Sequence, residues 1–384
     1  MFKKLIIILA IILVSGFSAV LTDRYLFPYL ASTRVFSKYD FLKKSAENVT
    51  VINKTEQVYV KEETSVEKVA NSGASSVVNI ISYPSADSLS GAKPGYKNGT
   101  GIITTSDGLI MTFASALNTG TGIVPAVSYK YKVMASDGNA YDAELFGMDS
   151  WSGLAFLKIN ASNLPVVSFG NSDDAKPGEK ILAIGNSLES YGNRYFSGVL
   201  SSFNATFNLG GKTLSVPEKM EGVFEADFDL EENFVGGPVL DYSGQMIGVV
   251  GSVEKNGQAA YFEIPSNKVK TVLEKALRKE LDQNAVLGAY YVPLTKTYSL
   301  ANGISRESGA LIFSPSGQNG LAVIAGSPAQ KAGLRLGDIV TAMDGEEITL
   351  KNNLAEILYK HKKGKEIELT VIREGNEIGI KVSL

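Results

Sequence analysis

Short apolar runs recur between residues 65 and 265, and turn signals separate them. Two Asp-Gly pairs, Asp107-Gly108 and Asp137-Gly138, each stand between strand-like runs. An Asp-Gly pair tolerates the positive φ angles that a tight hairpin turn requires, so it favours antiparallel pairing of its flanks. Many short strands at regular spacing are typical of a sandwich or a closed barrel. This region therefore predicts a mainly β domain over residues 65–265.

The pattern changes to helical spacing at Ser266. The segment "SNKVKTVLEKALRKEL" repeats apolar residues every three to four positions, and Ser266 is a candidate N-cap. We expect a linking helix within residues 266–285. Residues 286–384 then mix two short amphipathic helices with strands, and two terminal strands are expected to pair across Gly375-Asn376. This part predicts a second, α+β domain.

The first residues carry a targeting signal. Lys3 and Lys4 precede an apolar run that ends at Leu21. The run favours a membrane anchor over residues 1–21, with the N-terminus cytoplasmic and the folded domains outside. A signal peptide cleaved after Ser18 or Ala19 is the alternative. Residues 22–64 are mixed and polar, and we interpret them as an extracytoplasmic spacer next to the lipid bilayer.

Composition removes several kinds of chemistry. The chain has no cysteine, which excludes disulfides, thiolate nucleophiles and zinc sites that use cysteine. His361 is the only histidine, and the net charge of −3 gives no basic surface for a nucleic acid. The acidic run "EADFDLEE" lacks the regular ligands and the glycine turn of a calcium loop, so we interpret it as a solvated loop. No metal and no cofactor are predicted.

Several segments resemble the HtrA/Deg family, which comprises trypsin-like serine proteases with a C-terminal PDZ domain. The segments are "NGTGIITTSDGLIMTFASAL", "YKVMASDGNAYDAELFGMDSWSGLAFLKI", "EKILAIGNS", "FSGVLSS" and "FVGGPVLDYSGQMIGVV". Their shared order and spacing carry the resemblance. It implies a chymotrypsin-like double β-barrel followed by a PDZ domain at residues 286–384.

The resemblance also implies positions for the catalytic triad, and the chain differs at all of them. In "TFAS", Ser115 occupies the family's histidine position; in "GLA", Gly153 occupies the aspartate position; in "FVGGP", Val235 occupies the serine position. Serine hydrolysis needs a hydroxyl, a base near neutral pKa and a carboxylate that orients the base. We therefore expect no enzyme but an inactive homologue. The alternative is an active serine endopeptidase of the same family.

The PDZ domain is expected to bind peptides. The resemblance makes "LGA" the loop that holds a terminal carboxylate, and the glycine is expected to allow a close approach of the peptide backbone. The candidate binding residues are Leu287, Gly288, Ala289, Tyr290, Leu354, Ile357 and Leu358. We expect ligands with apolar C-termini and a role as scaffold, adaptor or chaperone in envelope protein quality control. Homo-oligomers, or hetero-oligomers with an active relative, are expected as further partners. A structural protein with a closed groove is the other alternative.

Overall fold

The computed structural model describes residues 66–85, 96–117, 129–187, 192–210, 214–255, 257–317 and 319–384, and scattered positions between 11 and 33. The chain divides into two compact units, Met1–Lys68 and Val69–Leu384. In the first unit, residues 14–19 are helical and Thr22–Leu26 form a π-helical turn. The predicted anchor and spacer lie mostly outside the described residues. Of the helices that are described, none is long and apolar enough to cross a membrane.

The second unit begins within a helix over residues 66–74, and a closed barrel of six antiparallel strands follows in the order β1-β2-β3-β6-β5-β4. The strands are β1 (Val77–Pro84), β2 (Lys97–Ile103), β3 (Leu109–Phe113), β4 (Tyr129–Met134), β5 (Ala140–Met148) and β6 (Leu154–Ile159). The turns at Gly108 and Gly138 both have positive φ, as the hairpin prediction requires. Both predicted Asp-Gly hairpins are therefore confirmed.

A second closed barrel follows, in the order β10-β11-β12-β9-β8-β7. Its strands are β7 (Lys180–Ser187), β8 (Gly192–Asn208), β9 (Glu221–Ala226), β10 (Pro238–Asp241), β11 (Met246–Lys255) and β12 (Gln258–Pro265). One hydrophobic core includes residues of both barrels, among them Phe113, Phe156, Ile184 and Phe262. The two barrels therefore pack as one body.

Helix α1 (Ser266–Leu277) leaves the second barrel and is shorter than predicted. Pro265 is its N-cap, and the Ser266 hydroxyl instead donates to the carbonyl of Gly170 at 3.0 Å. The helix ends because Lys279 adopts a φ of 57°, which no α-helix accommodates. Its apolar face, including Val269 and Val272, is buried in the barrel core.

The last part is an α+β domain with its own core. Its sheet has the order β13-β14-β15-β17-β18, and β16 pairs with β15. The elements are β13 (Tyr291–Pro293), α2 (Lys296–Ala301), β14 (Ala310–Ile312), α3 (Asn319–Ala322), α4 (Pro328–Lys331), β15 (Ile339–Met343), β16 (Glu346–Glu347), α5 (Leu354–Tyr359), β17 (Glu366–Arg373) and β18 (Asn376–Ser383). Strand β13 lies at the edge of this sheet. The predicted mainly β chain with an α+β second domain is confirmed.

Candidate functional sites

Ser115 and Gly153, two of the predicted triad positions, lie side by side at one end of the first barrel. Ser115 belongs to the single 3-10 turn Ala114–Ala116 that follows β3. Its exposed hydroxyl lies 2.7 Å from the hydroxyl of Ser252 on β11. The Gly153 carbonyl accepts a hydrogen bond from the N–H of Ala114 at 2.8 Å. The fold therefore brings the predicted histidine and aspartate positions together.

Val235, the third predicted triad position, is buried. It follows the 3-10 turn Glu232–Phe234, and only 1% of its surface is exposed. Its N–H donates to the carbonyl of Glu232 at 3.1 Å, within that turn. The next residue, Gly236, donates its N–H to Val250 at 2.8 Å and so ties the loop to β11. Because β11 also carries Ser252, all three positions meet around this strand.

The space beside Gly153 is occupied by an aromatic ring. Gly153 has a φ of +76°, and a Cβ placed on it would lie 2.8 Å from the ring of Phe113. That ring packs edge-to-face on Phe262, with centroids 5.9 Å apart. A side chain at position 153 would therefore require both a strained backbone and a displaced phenylalanine.

The chemistry open to this cluster follows from its atoms. Val235 has no lone pair for nucleophilic attack, so serine-type hydrolysis by this chain would need a hydroxyl at another position. His361 lies after α5 in the second domain, with its Nδ1 3.0 Å from the ammonium of Lys365. Burial, followed by the charge of Lys365, lowers the pKa of His361. The structure thus does not bring the only histidine to Ser115.

Several carboxylates of the acidic run have partners within the protein. Asp227 accepts from the N–H of Val199 at 2.6 Å, and Glu232 forms an ion pair with Lys97 at 2.9 Å. Glu231 pairs with Arg194. Within the described part of the chain, no three His, Asp or Glu side chains are arranged to hold a metal ion.

The predicted carboxylate loop holds a carboxylate of the chain itself. The N–H groups of Leu287 and Gly288 both donate to Oε1 of Glu218, each at 2.9 Å. Glu218 is half-buried and lies on the loop before β9. Consecutive N–H groups around a residue with positive φ form a concave anion site, and Gly288 has a φ of +77°.

Glycine at position 288 is required by packing inside the domain. A Cβ there would lie 2.3 Å from the Cβ of Ser327, inside the domain. The fold of the loop itself therefore already requires glycine at this position, and the approach of a peptide stays a prediction. Ala289, the third loop residue, is buried and pairs with Val323.

Next to the loop, β13 pairs with a segment of the barrel domain. Tyr291 exchanges two backbone hydrogen bonds with Ser215, at 3.0 and 3.1 Å, in antiparallel orientation. Tyr290 instead directs its backbone groups toward the interior, to Ala322 and Phe313. The edge of β13 to which a PDZ ligand would add is therefore occupied by Ser215 at Tyr291.

The three helix residues predicted to line a pocket belong to the core of the second domain. Leu354, Ile357 and Leu358 each expose 1% of their surface or less. Of the three, Leu358 also borders a cavity of about 150 Å³, together with Tyr359, Val286, Pro217 and Glu218. The sites themselves stay a prediction.

Glu221, which the sequence did not single out, fixes the contact between segment and strand. It is fully buried at the start of β9 and accepts from the hydroxyls of Ser215 and Tyr291, at 2.6 and 2.7 Å. Burial raises the pKa of Glu221 to about 7, while the hydrogen bonds from Ser215 and Tyr291 and the charge of Lys268 lower it. No sequence signal marks Glu221 or Glu218, because their partners in the second domain, Tyr291, Leu287 and Gly288, lie about 70 residues further along the chain.

Comparisons with known proteins agree with this arrangement of domains. Residues 99–249 match the model of the trypsin-like peptidase domain, and residues 287–384 match that of the PDZ domain. The "probable periplasmic serine endoprotease DegP-like" of Brucella suis biovar 1 (strain 1330) is 28% identical over 301 residues, which are 76% of this chain and 54% of the relative. The "putative serine protease HhoB" of Synechocystis sp. (strain ATCC 27184 / PCC 6803 / Kazusa) is 30% identical over 275 residues, 72% of this chain and 63% of the relative. The chain thus spans little more than half of the Brucella protein.

Among solved structures, the HtrA-type protease AlgW with a tripeptide has a TM-score of 0.63 at 23% identity, covering 82% of this chain and 95% of AlgW. AlgW with a decapeptide has a TM-score of 0.60 at 21% identity, over 82% and 96% of the two chains. The chain therefore carries a trypsin-like peptidase domain followed by a PDZ domain. In this combination of domains the chain is similar to the DegP-like and HhoB proteins.

The prediction that the chain is not an enzyme is corrected by these comparisons. The matched model is that of a peptidase, and the relatives are named as serine proteases. They point to a family of enzymes. The substitutions at Ser115, Gly153 and Val235 are not by themselves positive evidence that this member is inactive.

Proposed function

We propose that this HtrA/DegP-like chain binds polypeptides through its PDZ loop, as part of extracytoplasmic protein quality control. One observation carries the proposal: the N–H groups of Leu287 and Gly288 converge on one carboxylate oxygen, at 2.9 Å each. A peptide's terminal carboxylate offers the same acceptor, and hydrogen bonds to a charged group are stronger than neutral ones. The AlgW structures, which contain peptides, and the periplasmic name of the Brucella relative support the proposal.

The ligand would add as a strand to β13 and place its last side chain beside α5. In PDZ domains, backbone hydrogen bonds give affinity and a side-chain pocket gives selectivity. The cavity next to the loop is bordered by Leu358, Tyr359 and Val286, and its volume is about 150 Å³. A cavity of comparable size in another protein holds a benzene molecule, so one apolar side chain fits. Leu354 and Ile357 would support this pocket from the core. The domain would then act as a scaffold, adaptor or chaperone for unfolded chains.

The proposed place of action is the outer face of a membrane, with residues 1–21 as the anchor. Lys3 and Lys4 before the apolar run support this orientation. The full-length protein should stay in the membrane fraction after high-salt and alkaline washing. A mature N-terminus after Ser18 or Ala19 would replace the anchor by a cleaved signal peptide. Association with further copies or with relatives stays a prediction.

Calorimetry on the full chain tests the peptide proposal. Peptides that end in an apolar residue with a free carboxylate should bind with micromolar affinity, about −8 kcal/mol. The same peptides with an amidated C-terminus are the matched control and should bind more weakly, because the two N–H groups lose a charged acceptor. Equal binding of both forms would show that the loop is no carboxylate site. No binding at all would favour the structural protein with a closed groove.

A serine endopeptidase is the second candidate function, and the names of the relatives favour it. Because Val235 carries no hydroxyl, this candidate needs another nucleophile. The hydroxyls of the exposed Ser115 and the half-buried Ser252 lie 2.7 Å apart in the cluster of predicted triad positions and are the first candidate nucleophiles. The ammonium of Lys97 contacts the carbonyl of Ser115 at 2.5 Å.

Hydrolysis of casein and labelling by a fluorophosphonate test this candidate together. An active chain should cleave casein and form an adduct on one serine, and both should be lost when that serine is changed to alanine. S115A and S252A are the variants to compare, with S136A, which removes an exposed serine from the turn between β4 and β5, as a control that should retain the activity. If the purified chain neither cleaves casein nor forms an adduct, the endopeptidase function is refuted.

A further inference from the structure

The segment Ser215–Glu218 lies against the PDZ domain in the manner of a ligand. Ser215 pairs with Tyr291 of β13 in antiparallel orientation. In such a pair, each step forward on one chain matches a step backward on the other, so Glu218 falls opposite Gly288. The carboxylate of Glu218 is indeed bound by the N–H of Gly288. Strand pairing and carboxylate binding therefore agree in register.

The segment also fills part of the space that a peptide would need. Pro217 is buried between the two domains, and Pro217 and Glu218 both border the cavity beside Leu358 and Tyr359. A peptide that entered the loop would meet Glu218 at the carboxylate site and Ser215 at the strand edge. Two ligands cannot occupy the same N–H groups, so binding of one excludes the other.

The segment is held in place by further contacts of the barrel domain. The hydroxyl of Ser215 donates to Glu221, which also accepts from Tyr291. On the other side of Glu218, the ammonium of Lys219 donates to the carbonyl of Ser150 at 2.6 Å. Met220 donates its N–H to Trp151 at 2.9 Å. The segment is therefore positioned before any peptide arrives, and pairing it with the loop needs little further ordering.

We propose that Ser215–Glu218 is a resident internal ligand of the PDZ domain, in which the Glu218 carboxylate takes the place of a peptide's terminal carboxylate. The inference rests on the proposed function of this loop and adds its regulation. An external peptide binds only after Glu218 has left the loop, so its apparent affinity is reduced by the fraction of molecules in which the loop is free. Only a peptide with enough affinity for the loop to displace Glu218 would therefore bind.

The test compares the full chain with E218A. Because the variant lacks the internal carboxylate, a peptide with a free terminal carboxylate should bind it on the order of tenfold more tightly by calorimetry. The amide hydrogens of Leu287 and Gly288 should exchange faster in E218A without peptide, since they lose their acceptor. The matched control is E254A, which removes an exposed glutamate from β11 and should leave both quantities unchanged.

The outcomes separate this inference from the proposed function. If wild type and E218A bind the peptide equally and their amides exchange equally, the internal ligand is refuted while peptide binding stands. If neither protein binds any peptide but exchange at Leu287 and Gly288 is faster in E218A, the internal ligand stands and the proposed function is refuted. A melting temperature of E218A near that of wild type would show that the variant is folded.

Discussion

Gly153 occupies a position where backbone and neighbour both require glycine. Its φ of +76° lies in the left-handed region, and the ring of Phe113 fills the space where a Cβ would point. Phe113 in turn packs against Phe262 in the core. The glycine at position 153 and the position of the Phe113 ring therefore depend on each other.

A comparison of two glycines separates the backbone effect from the packing effect. Gly138 has a similar φ of +82°, but no atom lies within 4 Å of a Cβ placed there. We expect G138A to reduce the free energy of unfolding by about 1 kcal/mol, the cost of a left-handed alanine. G153A should cost ~1–3 kcal/mol more, because the ring of Phe113 must shift. Urea denaturation of both variants measures the difference. Equal losses in the free energy of unfolding would show that the Phe113 ring moves aside without a measurable energetic penalty.

At the level of elements, the contact of the barrel segment with β13 depends on a buried acid. Glu221 accepts one hydrogen bond from the segment, through Ser215, and one from the strand, through Tyr291. The ammonium of Lys268 lies nearby and donates to the Glu221 carbonyl at 3.0 Å. Desolvation of the charged form dominates, so the pKa of Glu221 is raised to about 7. The protonated acid is thus the form that the fold favours.

This raised pKa predicts a pH dependence of stability. The pKa of Glu221 is about 7 in the folded protein, against an ordinary value of 4.5. Its contribution to the free energy of unfolding is therefore fully present below pH 4.5 and is lost as the pH rises to about 7. E221Q imitates the protonated acid and does not titrate. Denaturation midpoints should therefore be similar for E221Q and wild type at pH 4.5, and higher for E221Q at pH 8.

The control for this prediction is E263Q. Burial likewise raises the pKa of Glu263, to about 8, but that residue does not contact the segment. Each variant should remove the contribution of its own residue to the pH dependence of the free energy of unfolding. Only E221Q should change the hydrogen exchange of the Tyr291 amide. If the stability of E221Q varies with pH as steeply as that of wild type, Glu221 is ionised in the folded protein.

The sequence predicted those elements whose causes are local. The hairpins at Gly108 and Gly138 follow from two neighbouring residues and the alternation around them, and the structure contains both. The position of Glu218 on the loop could not be predicted in this way, because it lies 70 residues from Gly288 and nothing in "SVPEKME" marks a ligand. The sequence predicts a longer helix α1 than the structure contains, because the apolar spacing continues past Leu277, whereas the positive φ of Lys279 ends the helix.

On the scale of the whole second unit, the barrels and the PDZ domain share buried side chains. The ring of Trp151 from the barrel domain stacks on Tyr359 of α5, with centroids 4.0 Å apart and 13° between the planes. The ammonium of Lys275 lies 3.6 Å from the centre of the Tyr359 ring. Lys268 pairs with Glu356 of α5. Contacts of this kind couple the unfolding of the two domains.

Calorimetry should therefore show one cooperative unfolding transition for wild type. W151A removes the stack and leaves a cavity, which typically costs about 3–5 kcal/mol for a buried aromatic residue. We expect the transition of W151A to split into two, one for each domain. W151F keeps an aromatic ring at this position and should unfold in a single step at a slightly lower temperature. Two transitions in wild type would contradict the coupling.

Trp151 is also the only tryptophan in the chain. It exposes 2% of its surface, and the ring that covers it belongs to the other domain. The fluorescence emission of indole shifts to longer wavelength in water. Movement of the PDZ domain away from the barrels would expose Trp151 and would therefore shift the emission maximum of this protein to longer wavelength. Trp151 is thus an intrinsic fluorescence probe of domain separation, and stopped-flow fluorescence could follow the movement of the two domains apart without any attached dye.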